Sequence, residues 1–256
     1  MIDVQMQPDD RGVALDAVGV CGFMRPVLVR LGQEAQAVTA TFEVSTPLAA
    51  SHRGTHMSRL IMAALEPQEL TPESLMACAC DVARRLEVSE ASVKASFLYF
   101  VTKTAPASKM PSPMNLTLTL EAWVKGSERG CDLVFEGAVQ TLCPCSKAIS
   151  TFGAHNQRAQ VRVELSPAWG LSPEQISDLV DAQASTPLYA LLKRPDEKAV
   201  TEGAFANPKF VEDIARDTLI ALREKGHYRR IAVRAQSAES IHNHDAFALA
   251  RWEEGR

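Results

Sequence analysis

The run Leu142-Cys143-Pro144-Cys145-Ser146-Lys147 is followed closely by Ala154-His155-Asn156-Gln157. A thiolate and an imidazole are the usual beginning of a zinc-type centre, because soft sulfur and borderline nitrogen suit such cations. About a hundred residues downstream, Glu239-Ser240-Ile241-His242-Asn243-His244-Asp245 adds two imidazoles and two carboxylates. Those groups move protons near neutral pH, and a neighbouring carboxylate orients an imidazole and raises its pKa. The two clusters suggest one composite active site.

Each cluster also has a plainer alternative. Pro144 lacks a backbone donor, so a strand ending near Leu142 must give way to a turn. A disulfide between Cys143 and Cys145 would close a small strained ring, which leaves metal binding, a nucleophilic thiol, or two buried cysteines beside a turn. His155 can be a solvated loop residue. His242 and His244 project to one face if extended, or they belong to a polar turn. Glu197, in the charged string Lys193 to Lys198, reads as part of a solvated loop, and Glu212 lies one residue from an apolar helical stripe, where an exposed carboxylate is the default. Arg53-Gly54-Thr55-His56-Met57-Ser58-Arg59, at a helix start, offers free amides and two guanidinium groups to a phosphate. It matches neither the P-loop nor the dinucleotide fingerprint.

The elements that must position these residues follow from periodicity and punctuation. Strands are expected over Val18 to Arg30 and Ala37 to Val44, then a short helix over His56 to Leu65 and a second from Thr71 to about Leu86, with Pro72 in its first turn. Strands return at Val93 to Val101 and Leu116 to Lys125, where Leu116, Leu118 and Leu120 alternate with threonines. Thr102 to Asn115, with Pro106, Pro111 and Pro113, reads as a loop. The second half repeats the order: strands at Leu133 to Leu142 and Gln160 to Leu165, a helix launched by the Ser172-Pro173-Glu174-Gln175 capping box, and a helix after Asn207-Pro208 carrying Val211, Ile214, Thr218 and Leu222 to Gly226. Strands at Arg229 to Gln236 and Asp245 to Trp252 close it.

A chain of 256 residues buries enough surface for a stable core without disulfides. Hydrophobic residues at 46% and charged residues at 23% are ordinary for a globular protein. A net charge of -4 leaves no electrostatic footprint for a nucleic-acid backbone. The polar N-terminus lacks the features of a signal peptide, and no apolar run is long enough to span a membrane, so a cytoplasmic location is expected. Cys21, Cys78, Cys80 and Cys131 read as small core residues.

Taken together, Gly54-Thr55-His56-Met57-Ser58-Arg59, Cys143-Pro144-Cys145-Ser146-Lys147, Ala154-His155-Asn156-Gln157, Asp196-Glu197-Lys198 and the Glu239 to Asp245 string resemble the type IB family of GTP cyclohydrolase I. The resemblance implies an α+β tunnelling fold with two modules of antiparallel strands and paired helices, residues 1–128 and 129–256, assembled as a homotetramer with active sites at subunit boundaries. It implies conversion of GTP and water to 7,8-dihydroneopterin triphosphate and formate, towards tetrahydrofolate. Carried over by motif, Cys143, His155 and Glu197 would hold a divalent metal ion, zinc, manganese or iron. Such a set leaves a coordination position open for water and lowers its pKa. Glu212 would anchor guanine, Glu239, His242 and His244 would line the pocket with Cys143, and Arg53, His56, Arg59, Lys147 and Arg158 would be candidates for substrate contacts. Members of that family often carry a glutamate directly after the Cys-Pro-Cys-Ser-Lys string, where this chain has Ala148. Two other classes fit parts of the pattern: a tunnelling-fold enzyme with a covalent cysteine nucleophile, similar to a nitrile reductase, and a non-catalytic zinc-binding protein.

Overall fold

The computed structural model describes residues 5, 7–32 and 34–255. Two compact units are present, one from Met1–Leu98 with Thr119–Leu133 and one from Tyr99–Leu118 with Val134–Arg256. In chain order the elements are β1 (Leu15–Val29), β2 (Gln36–Leu48), α1 (Met57–Leu65), β3 (Glu69–Leu70), α2 (Pro72–Leu86), β4 (Glu90–Thr104), β5 (Pro111–Lys125), β6 (Glu128–Leu142), α3 (Pro144–Ile149), β7 (Asn156–Ser166), α4 (Pro173–Gln183), β8 (Thr186–Pro187), α5 (Arg194–Ala206), α6 (Val211–Lys225), β9 (Arg230–Ser237) and β10 (Ala246–Glu253). The mixture is α+β, with largely antiparallel strands. Among the described residues no helix is long and apolar enough to cross a membrane.

In the first unit β1 and β2 form a long antiparallel pair, from Leu15 opposite Leu48 to Val29 opposite Gln36. Gly19 is required in it, because a Cβ there would lie 1.9 Å from the Val44 carbonyl oxygen. β2 continues antiparallel to β4, and β3 adds a short parallel edge to β1. The apolar face, with Phe42, Val44, Val93 and Ala95 buried, is matched by Leu60 and Ala64 of α1 and Leu75, Ala79 and Val82 of α2. Thr71 and Ser74 close a reciprocal cap at the start of α2, which satisfies two otherwise orphaned amides.

Of the four cysteines expected in the core, Cys78 and Cys131 are buried, Cys80 is half-buried and Cys21 is exposed. β1 shows Cys21 to solvent because its register shifts between Val20 and Phe23, and such an irregularity turns side chains off the regular alternation. Burial pushes the Cys78 and Cys131 thiols up to about 12, so neither is a nucleophile or ligand near neutral pH.

In the second unit β7 pairs antiparallel with β9, from Ala159 opposite Ser237 to Ser166 opposite Arg230, and β9 pairs with β10. β6 lies beside β7 in the strand order. α6 packs on β9 and β10, with Ile214, Ala215, Thr218 and Leu222 buried.

Two further expectations are corrected. Pro111 and Pro113 belong to β5 rather than to a loop, so the connection from β4 is short. The charged string around Glu197 is the start of helix α5, with Pro195 in its first turn. α5 is fixed by Asp196, which is fully buried and accepts hydrogen bonds from Ala107 N (2.8 Å), Ser108 N (2.7 Å), Ser108 Oγ (2.7 Å) and Lys193 N (2.9 Å).

Burial alone would raise the Asp196 carboxyl. The Ser108 side-chain and backbone donors, with those of Lys193 and Ala107, outweigh it and hold the group well below the ordinary carboxylate value. A carboxyl depressed on folding stabilises the protein above its unfolded value of about 4, and that contribution is lost as pH falls towards the folded value. Asp196→Asn is therefore expected to lower the melting temperature by several degrees at pH 7, with the gap to the parent narrowing below about pH 4. Thermal unfolding of both proteins across that range is the check, and a gap independent of pH would refute the account.

Candidate functional site

The site grows out of the ends of β6, β7 and β9. Antiparallel register pairs Ala159 with Ser237, and two residues further along the same register Gln157 comes opposite Glu239. The Ala238 N–H donates to the Arg158 carbonyl at 3.2 Å, so the pairing persists past the strand end. β6 ends at Leu142, and the Cys143 N–H donates to the His155 carbonyl at 3.1 Å. Three strand ends thus bring the Cys-Pro-Cys run, the His155 segment and Glu239 together.

Ser146 stitches the first two. Its N–H donates to Cys143 Sγ at 3.4 Å, and its hydroxyl donates to the Cys143 carbonyl at 3.2 Å while accepting the His155 N–H at 3.2 Å. Cys143 is half-buried, whereas Cys145 is exposed. The side chains of His155 and Glu239 are 12% and 15% exposed, with His155 Nδ1 3.9 Å from Glu239 Oε2. Gln157 lies between them: its Oε1 is 2.9 Å from His155 Nδ1, and its Nε2 donates to Thr141 Oγ1 at 2.9 Å and Glu239 Oε1 at 3.4 Å. Ser237 Oγ donates to the same Glu239 oxygen.

His242 and His244 lie in the loop from β9 to β10, both exposed. The His242 N–H donates to the Glu239 carbonyl at 3.3 Å. The loop is bent, yet the two imidazoles are stacked, with ring centres 4.9 Å apart and 22° between planes. The segment is therefore the polar turn of the two alternatives rather than an extended stretch.

Glu212 is exposed in the first turn of α6. Its helix is tied to the site, because the Lys209 N–H donates to the Leu142 carbonyl at 3.1 Å. Lys147 folds back onto α5: its ammonium is bonded to the Phe205 carbonyl and sits 4.6 Å from the centre of the Phe205 ring, joining α3 to the end of α5.

Glu197 is exposed on the first turn of α5. Among the described residues no three His, Cys, Asp or Glu side chains are gathered closely enough to hold a metal ion, so a single chain does not bring Glu197 to Cys143 and His155. One sulfur and one nitrogen suit a zinc-type cation in donor chemistry, and the backbones of Cys143 and His155 are joined by the Cys143 N–H and the His155 carbonyl.

Arg53, His56 and Arg59 belong to the first unit. They flank the start of α1, where His56, Arg59, Gly54 and Thr55 help to line a cavity of about 1070 Å³. Arg53 Nη1 donates to Gln7 Oε1 at 2.7 Å and Arg59 Nη1 to the Arg85 carbonyl at 3.0 Å. The structural part of Gln157 was not anticipated from sequence. Its signal is the two-residue spacing from His155 at a strand start, which places both side chains on one face.

The family description "Type I GTP cyclohydrolase folE2" matches residues 1–248. The GTP cyclohydrolase FolE2 of Thermosipho africanus is 40% identical over 250 residues, covering 97% of this chain and 96% of that protein. That of Caldicellulosiruptor bescii is 38% identical over 254 residues, covering 99% of each, and that of Bordetella pertussis is 40% identical over 253 residues, covering 97% and 95%. Among solved structures, uricase from Arthrobacter globiformis superposes with a TM-score of 0.54 at 10% identity, over 94% of this chain and 95% of that one. That likeness speaks to the fold alone, the tunnelling fold.

Proposed function

Because the chain belongs to the type I GTP cyclohydrolase FolE2 family, we propose that it converts GTP and water to 7,8-dihydroneopterin triphosphate and formate, the first step of tetrahydrofolate biosynthesis. The observation that carries this reading is near-complete coverage by relatives of that name at about 40% identity, joined to an ordered thiol, imidazole and carboxylate cluster at the ends of β6, β7 and β9.

In this reading Cys143 and His155 hold a divalent cation, with Glu197 as the third ligand. The cation supplies Lewis acidity towards water, which is the general use of such an open site. Glu212 accepts hydrogen bonds from guanine N1–H and the exocyclic amine. His242 or His244, both exposed with their rings stacked, would give a proton to a purine ring nitrogen as the imidazole ring opens. Glu239 is committed to Gln157 and Ser237, which makes it an orienting group. Arg53, His56 and Arg59 supply charge and donors for the triphosphate, whereas Lys147 serves to tie α3 to α5. Assembly as a homotetramer, with active sites at subunit boundaries, completes the proposal.

The test is direct. Purified protein, confirmed by light scattering to have the mass of four chains, is loaded with zinc, manganese or iron and incubated with GTP. Formate and a pterin that fluoresces after oxidation should appear in equal amounts and stop on chelation. Absence of both with all three metals would overturn the assignment.

A further inference from the structure

Gln157 sits at the meeting point of four side chains, and the chemistry of its neighbours fixes which way round its amide lies. Glu239 Oε1, which accepts the Ser237 hydroxyl, lies 3.4 Å from one end of the Gln157 amide. That end must be the NH2 group, since the opposite arrangement would set a carbonyl oxygen against a carboxylate. Thr141 Oγ1 accepts from the same nitrogen at 2.9 Å. The carbonyl end, Oε1, then faces His155 Nδ1 at 2.9 Å and accepts from the Ser240 hydroxyl at 3.4 Å. A carbonyl oxygen can only accept, so Nδ1 carries the proton and the lone pair of the imidazole is on Nε2. Glu239 Oε2, 3.9 Å from Nδ1, favours the same tautomer.

We infer that Gln157 is the positioning residue that fixes the tautomer and ring plane of His155, presenting Nε2 as the ligand atom for a divalent cation. The inference rests on the metal role proposed for Cys143 and His155. Its geometric basis is the β7 and β9 pairing, which sets Gln157 between His155 and Glu239, while Thr141 on β6 holds the amide from the other side. An amide relay of this kind transmits the orientation of Glu239 to the imidazole without a full negative charge against the ring. Outer partners of ligating histidines commonly govern metal affinity by about 10- to 100-fold.

The experiment measures zinc affinity of the full-length protein by chelator competition. Gln157→Met keeps length and removes both the acceptor and the donor, and should weaken zinc binding by roughly 10- to 100-fold. The swap Gln157→Glu with Glu239→Gln keeps an acceptor opposite Nδ1 and a donor facing an acceptor between the two side chains, and should stay within about tenfold of the parent. At saturating zinc, Gln157→Met should recover most of its kcat with KM for GTP unchanged, a split that a general packing defect would not give. Thr141→Val, which removes only the outer anchor of the amide, should move zinc affinity in the same direction by less. Parental zinc affinity in Gln157→Met, or equal weakening in Gln157→Met and in the swapped pair, would overturn the inference. Cys143→Ala is the control: if it binds zinc like the parent, the metal reading itself fails, whereas if it loses zinc and Gln157→Met does not, only the role of Gln157 fails.

Discussion

Cys143→Ala should leave a folded protein that neither retains a divalent cation nor releases formate from GTP, with kcat/KM down on the order of a thousandfold or more. The reason lies in how the sulfur is held. Cys143 stands at the end of β6 with its N–H on the His155 carbonyl and its Sγ accepting the Ser146 N–H, so its position relative to the imidazole is set by backbone rather than by a free rotamer. Cys145, two residues on, is exposed and outside that arrangement, and Cys145→Ala should keep both metal and activity. The buried Cys78 and Cys131, with thiols raised to about 12, do not replace a missing ligand. Elemental analysis of dialysed protein and a formate assay decide the matter. Retention of both metal and turnover by Cys143→Ala, or their loss in Cys145→Ala instead, would refute the ligand assignment.

The contrast between what the sequence revealed and what it hid has identifiable physical causes. Elements that bury an apolar face were visible: α6 places Ile214, Ala215, Thr218 and Leu222 inward, and β5 buries Leu116, Leu118 and Leu120, so periodicity marked both. Helix α5 was missed because it has almost no apolar stripe; of its residues only Asp196 and Ala204 are buried. It is held by a carboxylate knotted into the loop before β5, a kind of anchoring that leaves no hydrophobic period. The start of β5 was hidden by Pro111 and Pro113, which are exposed at the beginning of the strand, a place where missing donors are tolerated.

The site was legible as a set of residue types and illegible as a geometry. That Cys143 and His155 belong together could be read from chain proximity and a turn at Pro144. That Glu239 meets them through Gln157 depends on β7 lying between β6 and β9, and strand order is a property of the whole sheet rather than of any local window. Glu197 illustrates the same limit, since its resemblance-based role as a ligand is not met within one chain.

Glu212→Gln is expected to reduce kcat/KM for GTP by roughly four orders of magnitude, because a site built to accept two donors penalises any change that leaves them unpaired. Guanine presents N1–H and the exocyclic amine side by side. A carboxylate accepts both, whereas a glutamine sets its own NH2 against one of them. The change should fall on recognition and little else. Glu212 is exposed, and the N-terminal cap of α6 is made by its neighbour, with the Phe210 N–H donating to Asp213 Oδ2 at 3.0 Å, so melting temperature and metal content should stay near those of the parent. The tie between Lys209 and Leu142 is also untouched, which keeps the start of α6 joined to the end of β6. A base analogue sharpens the test. Inosine triphosphate lacks the exocyclic amine, so the parent should strongly prefer GTP, and the Gln variant should lose most of that preference along with its activity. If Glu212→Gln turns over GTP like the parent, or keeps the parental preference against inosine triphosphate, guanine is anchored elsewhere.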